Sequence, residues 1–155
     1  MMELKSLKNL SMNKQPKLLI GIDPDVDKSG VAFRMDNKLK LQNLTFFELF
    51  DFLKFYKERE NKPTVYIEMG SLNKSNWHTK AGYSQGFNAK IGEKTGRNFE
   101  VANKIVEMCK YLDLPYETIK PTKSKITNDY FKMLTGLKIK TNQEQRDAFM
   151  LIHGR

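Results

Sequence analysis

The chain has 155 residues and a formal net charge of +9, and hydrophobic residues make up 39% of it. These values favour one domain with a hydrophobic core and argue against a disordered chain. The positive charge favours a polyanionic partner, with nucleic acid before an anionic membrane, but it is also compatible with a protein that is merely basic.

The single cysteine, Cys109, excludes both a disulfide framework and a zinc site built from cysteines. No apolar run approaches the roughly 20 residues that a membrane-spanning helix needs, and no signal peptide is visible. We therefore expect a cytoplasmic protein without a membrane partner. Residues 1–16 are polar and lysine-rich, which predicts a flexible tail ahead of a single domain over residues 17–155.

The first half of the domain is predicted to hold most of the strands. The apolar run 17–23 predicts a buried strand that ends in Asp23, and residues 31–33 and 39–41 predict two more strands joined by a turn. Thr45 and Glu48 are spaced as a capping box, so a helix is expected to start there. Residues 64–68 predict a further strand, which ends in Glu68.

Residues 70–97 differ from the rest in composition, because they combine glycines, basic residues and aromatic residues. We predict a long loop here, which is either functional or simply mobile and solubilised by its charges. Beyond it, periodicity predicts a helix over 99–112, a strand over 115–119, and helices over 128–134 and 142–153. This alternation of five predicted strands with helices predicts an α/β fold.

Four acidic residues stand at places that favour a shared site. Asp23 and Glu68 end predicted strands, whereas Glu144 and Asp147 project from one face of the last predicted helix. Each acid alone has an ordinary explanation, since a strand-end Asp often forms a turn and a first-turn Glu is favoured by the helix dipole. The functional interpretation depends on the joint pattern.

Four clustered carboxylates repel one another unless cations neutralise them. Mg²⁺ takes oxygen ligands, and two such ions about 3.5–4 Å apart can clamp both oxygens of a phosphodiester displacement. The pattern therefore predicts metal-dependent phosphodiester hydrolysis.

Short motifs that contain these acids follow one another along the chain: Gly21-Ile22-Asp23-Pro24 with Ser29-Gly30-Val31, Tyr66-Ile67-Glu68, Pro121-Thr122-Lys123-Ser124-Lys125, and Glu144-Gln145-Arg146-Asp147-Ala148. In this order they resemble the motifs of the RuvC-type Holliday junction resolvases, which implies a ribonuclease H-like fold with a central mixed five-stranded sheet flanked by helices. The resemblance implies a homodimer that nicks opposed strands of a four-way DNA junction. It also implies two Mg²⁺ ions, replaceable by Mn²⁺, held by Asp23, Glu68, Glu144 and Asp147. Lys125 matches the family's lysine near the scissile phosphate.

Departures from the family pattern are also present. Asp25 stands where the family usually has glycine, and it is either an additional ligand or a turn residue. Glu144 stands where the family has aspartate. The segment from Thr135 to Asn142 is more similar to divergent phage-encoded relatives, which implies a phage enzyme acting in the host cytoplasm. The aromatic wedge of the family has no counterpart in residues 69–72, so Trp77 is a candidate for it.

Basic and aromatic side chains around the predicted site are candidates for DNA contacts through phosphates and stacked bases. They are Lys74, Trp77, Lys80, Tyr83, Lys90, Lys94, Arg97, Lys120, Lys123 and Lys125. Three alternatives to a junction resolvase stay open: a nuclease for flaps or other branched DNA, an RNA-processing enzyme of the ribonuclease H type, and a branch-binding module without catalysis.

Overall fold

The computed structural model describes residues 16–73 and 84–155. Its centre is one mixed five-stranded sheet with the strand order β3-β2-β1-β4-β5. The strands are β1 (Leu18–Asp23), β2 (Ser29–Met35), β3 (Lys38–Leu44), β4 (Thr64–Glu68) and β5 (Tyr116–Ile119). The helices are α1 (Phe46–Lys57), α2 (Gln85–Tyr111), α3 (Asn128–Thr135) and α4 (Gln143–Ile152).

The central strand β1 determines where the chain's acids can meet. It pairs antiparallel with β2, so that Asp23 lies opposite Gly30. It pairs parallel with β4, with Ile22 opposite Ile67, and β4 in turn pairs parallel with β5. The carboxyl ends of β1, β4 and β5 therefore lie side by side at one edge of the sheet.

Alternation along the strands divides the core into two layers. Ile20, Ile22 and Ile67 point to the face covered by α1 and α2, and the neighbouring residues Leu19 and Tyr66 point to the face covered by α3 and α4. The apolar runs thus form strands buried on both sides. Helices on both faces of this sheet confirm the predicted α/β class and the predicted central mixed five-stranded sheet.

Capping and turn residues in the sequence correctly predicted most of the helix and turn boundaries. The Thr45 side chain accepts from the backbone of Glu48 and the Glu48 side chain accepts in return, as predicted. Asp36 adopts a left-handed φ of 52° in the β2–β3 turn. Gly136, also left-handed with a φ of 71°, ends α3. Cys109 is buried in the core, and burial raises the pKa of its thiol to about 12, so it is a packing residue.

The predicted loop over residues 70–97 was partly wrong. A short helical turn covers Gly70–Leu72, and α2 begins at Gln85, with Ser84 as its N-cap, so residues 85–97 are helical. The first half of α2 is mostly exposed, and Cβ atoms added at Gly86, Gly92 and Gly96 would meet open space. We call residues 85–97 the α2 arm. Within the described ranges, no helix combines the length and apolarity needed to cross a membrane.

Candidate metal centre

Asp23 and Glu68 lie beside each other because they end two neighbouring parallel strands. Their predecessors Ile22 and Ile67 are partners in the register of β1 and β4. Both acids line a cavity of about 190 Å³ that reaches to Phe99 of α2. The sheet thus brings together the two strand-end acids that the sequence predicted.

Two glycines allow helix α4 to approach this end of the sheet. A Cβ atom at Gly21 would lie 2.1 Å from the carbonyl oxygen of Ala148, and one at Gly30 would lie 2.2 Å from that of Glu144. Any side chain at either position would therefore push α4 away. The glycines bring the N-terminal part of α4, which carries Glu144 and Asp147, against the strand that ends in Asp23.

The electrostatics of Asp23 reflect this crowding. Burial raises the pKa of its carboxyl from 3.8 to about 8, and the charges of Glu68, Asp147 and Glu144 add to the increase, while Lys125 opposes it. Burial also raises the pKa of Glu68, with Asp147 contributing and Lys125 opposing. The other three predicted acids thus all act on Asp23, although Glu144 remains only half-buried.

Lys125 is the cation within this group. Its Nζ donates to Oδ2 of Asp147 at 2.6 Å. Burial lowers the pKa of this ammonium, but the hydrogen bond to Asp147 and the charges of Glu68, Asp147 and Asp23 outweigh burial and raise it. Lys125 is therefore charged, and it lies among the predicted acids.

The other oxygen of Asp147 has a partner that sequence reasoning missed. Gln143 Nε2 donates to Oδ1 of Asp147 at 2.8 Å. Asp147 is 8% exposed, so both of its oxygens are held by donors in a largely buried setting. The only sequence signal for this contact is the i,i+4 spacing of the two residues on α4.

The donor set fits a hard divalent cation. Carboxylate oxygens are the ligands that Mg²⁺ prefers, and in the described ranges no side chain donates a hydrogen bond to the carboxylates of Asp23 or Glu68. However, no three acidic, histidine or cysteine side chains of residues 16–73 and 84–155 already form a metal-binding group. Coordination by all four acids therefore requires their side chains to move closer together, and because each carboxylate oxygen has two lone pairs, Asp147 can keep its bonds to Lys125 and Gln143 as they do so.

Asp25 is used in the turn that follows β1. Its Oδ1 accepts from the backbone of Asp27, and its backbone N–H donates to Ser29 Oγ at 3.2 Å. Asn98 of α2 accepts from the backbone of Val26 at 3.1 Å and donates to Asp25 Oδ2 at 3.4 Å. These contacts support the turn interpretation of Asp25. Asn98, which was not predicted, ties the base of the α2 arm to the site.

The predicted DNA-contacting residues fall into three groups. Lys120 and Lys125 line a cavity of about 360 Å³ together with Glu68 and Asp147, and Lys123 is exposed on the same loop. A second group projects from the α2 arm instead of a loop, and a third lies outside the described residues. The second group is Lys90, Lys94 and Arg97, and the third is Lys74, Trp77, Lys80 and Tyr83.

A larger cavity of about 670 Å³ lies near the start of β1 and the end of β2, between Lys17 and Arg34. None of the four acids lines it. The candidate site is therefore identified by its acids and not by the size of its cavity.

Neither protein-family models nor curated proteins gave a match to the chain. Among solved structures, the chain is similar to Thermus thermophilus RuvC in complex with a Holliday junction substrate. The identity is 12%, the alignment covers 87% of this chain and 89% of that one, and the TM-score is 0.47. For a second Thermus thermophilus RuvC structure the identity is 13%, the coverage is 86% and 90%, and the TM-score is 0.45.

Proposed function

We propose that the protein is a metal-dependent endonuclease that cuts branched DNA, with the four-way junction as its preferred substrate. The observation that carries this proposal is the electrostatic cluster of Asp23, Glu68, Glu144 and Asp147 around one buried edge of the sheet, with Lys125 among them. Carboxylates kept close at the cost of mutual repulsion are typical of functional sites.

The four carboxylates would hold two divalent ions, Mg²⁺ or Mn²⁺. When bound, such ions lower the pKa of an attacking water and stabilise the leaving oxygen of a phosphodiester. Lys125 faces the same space, so its ammonium can stabilise negative charge that develops on the phosphate. Partial burial of Asp23 and Glu68 strengthens each of these electrostatic interactions.

Basic surfaces on both sides of the acids suit a DNA backbone. The α2 arm carries Lys90, Lys94 and Arg97, and its Thr95 lines the same cavity as Asp23, while Lys120 lines the other cavity. Lysine and arginine at phosphates release counterions, which favours association with any duplex arm. Paired, symmetric cuts across a junction need two active sites, so we also propose that the enzyme acts as a homodimer.

The experiment is cleavage of a synthetic four-way DNA junction with Mg²⁺ or Mn²⁺, mapped on all four strands. Linear duplex, a flap and an RNA–DNA hybrid serve as substrates for comparison. Asp23→Asn and Asp147→Asn should abolish cleavage, whereas Asp51→Asn, which changes an exposed acid on α1, should not. Each variant's junction binding is measured in parallel by gel shift.

Paired symmetric nicks that vanish only in the two site variants would support the proposal. A junction that is bound but never cut, with either metal, would instead indicate a branch-binding module. Cleavage of the hybrid without cleavage of the junction would indicate an RNA-processing enzyme, and cleavage of flaps alone would indicate a broader branch nuclease.

A further inference from the structure

We propose that Arg146 is a positioning residue that fixes the orientation of the Asp147 carboxylate without touching it. The inference rests on the proposed function, because it assigns Arg146 to the same metal centre. It is based on two routes from Arg146, each ending on one oxygen of Asp147: one consists of hydrogen bonds only, and the other combines hydrogen bonds with the backbone between Ile126 and Lys125.

The first route passes through a side chain of α4. Arg146 Nη2 donates to Oε1 of Gln143 at 2.9 Å, and Gln143 Nε2 donates to Oδ1 of Asp147 at 2.8 Å. Because an amide presents its oxygen and its nitrogen on opposite sides, occupation of Oε1 by Arg146 directs the N–H groups of Gln143 towards Asp147.

The second route passes through the loop before α3. Arg146 Nε donates to the carbonyl oxygen of Ile126 at 2.9 Å. Ile126 directly follows Lys125, whose Nζ donates to Oδ2 of Asp147 at 2.6 Å. Arg146 therefore anchors the backbone beside the lysine as well as the glutamine, and it controls the donors to both carboxylate oxygens.

A third contact fixes Arg146 itself. Its Nη1 donates to the carbonyl oxygen of Thr141 at 2.7 Å and to the hydroxyl of Thr141 at 3.2 Å. Within the described ranges Arg146 forms no ion pair, so its guanidinium acts on neutral acceptors from three segments. A planar guanidinium with five donors can serve such dispersed acceptors, whereas the single ammonium of lysine cannot.

Residues that orient a metal ligand commonly change metal affinity by about 10-fold or more when they are removed. Arg146→Met and Gln143→Met should therefore each weaken Mn²⁺ binding by about tenfold, measured by calorimetry without DNA. The Mg²⁺ concentration for half-maximal cleavage should rise by a similar factor, with the KM for junction DNA unchanged. Since the two residues share the first route to Asp147, the double variant should lose less than the product of the single effects.

Asn128→Ala is the matched control. Asn128 Oδ1 accepts from both the backbone and the hydroxyl of Thr141, so its loss loosens the same segment that Arg146 holds. It leaves the two routes to Asp147 in place. Asn128→Ala should therefore lower the melting temperature as Arg146→Met does, but keep Mn²⁺ affinity. Arg146→Lys should not restore that affinity.

Crystal structures of Arg146→Met and Asn128→Ala give a readout that needs neither metal nor cleavage. We expect Asp147 to leave its position only in Arg146→Met. An unchanged Asp147 there, or equal Mn²⁺ affinity in Arg146→Met and Asn128→Ala, would overturn the inference. If the wild type neither cuts DNA nor binds Mn²⁺, the proposed function fails, and the two crystal structures still decide whether Arg146 orients Asp147.

Discussion

Gly30 packs directly against the backbone of Glu144, since a Cβ atom at residue 30 would lie 2.2 Å from the Glu144 carbonyl oxygen. Gly30 is also the register partner of Asp23 on the neighbouring strand. The contact that brings α4 close to the sheet therefore also brings the acids of α4 close to Asp23.

Gly30→Ala should damage both stability and catalysis. The added methyl group meets backbone, which cannot rotate away, so α4 must shift and carry Glu144 and Asp147 with it. We expect a loss of about 1–3 kcal/mol in the free energy of unfolding, typical of an overpacked core. Urea denaturation measures this loss, and junction cleavage should fall with it.

Gly92→Ala is the control for the same chemical change. Its Cβ would meet open space on the α2 arm. There the replacement should stabilise the protein by about 0.5–1 kcal/mol, because alanine favours a helix over glycine. A Gly30→Ala variant as stable and active as the wild type would show that α4 has room to move.

Asp23→Asn should stabilise the metal-free protein at alkaline pH while it abolishes cleavage. The pKa of Asp23 is about 8 in the folded chain, against an ordinary value of 3.8. Between these values the folded chain binds a proton that the unfolded chain has released, so stability falls as pH rises through this window. Asparagine removes that ionisation. The gain in the free energy of unfolding of Asp23→Asn over the wild type should be absent below pH 4 and reach on the order of 2–4 kcal/mol above pH 8.

Melting temperatures in EDTA from pH 4 to pH 9 test this dependence. Asp113→Asn is the control. The pKa of Asp113 is shifted in the opposite direction to that of Asp23, because the hydrogen bond from Lys62 lowers it. That variant should gain nothing at high pH. If Asp23→Asn melted with the wild type at every pH, Asp23 would not be an electrostatically strained carboxylate.

Lys125→Met should slow the cleavage step far more than it weakens DNA binding. The ammonium lies 2.6 Å from Asp147 and next to the proposed position of the scissile phosphate. Loss of one such charge-stabilising donor costs roughly 10²–10³-fold in rate. Single-turnover cleavage at saturating junction measures the effect, and Lys138→Met, at an exposed position, is the control. Equal rates for the two variants would remove Lys125 from catalysis.

The α2 arm should contribute to DNA affinity through charge alone. Lys90→Gln combined with Lys94→Gln removes two exposed cations of the arm. The slope of log affinity against log salt should decrease by about 2, since each phosphate contact contributes about 0.9. Lys54→Gln with Lys110→Gln changes net charge equally, at exposed positions away from the arm. The same slope for both double variants would exclude the arm from the DNA path.

The strands and the four acids could be predicted because their signals are local. An apolar run that ends in Asp23 or Glu68 determines both the strand and the place of the acid, and residue spacing on α4 determines which acids share a face. The α2 arm could not be predicted in this way. It has three glycines and no continuous apolar stripe. It is helical as the continuation of the second half of α2, which packs on the sheet through Ile105 and Cys109.

The two residues that hold Asp147 from within its own helix, Gln143 directly and Arg146 through Gln143, were missed for another reason. Gln143 and Arg146 are polar residues near the start of a helix, a pattern that ordinarily indicates a solvent-exposed face. The hydrogen bonds of Arg146 reach Thr141 and Ile126, whose positions depend on how the segment around α3 folds back. Such tertiary contacts leave no periodic signal in the sequence.

The two halves of helix α2 differ in local stability. Its second half is held by the core, whereas each glycine of the arm costs a helix about 1 kcal/mol relative to alanine. The arm's amide hydrogens should therefore exchange with solvent long before those around Ile105, with no break in the helix between them. A polyanion that binds Lys90 and Lys94 would slow this exchange, so the arm's protection would report occupancy of the DNA path directly.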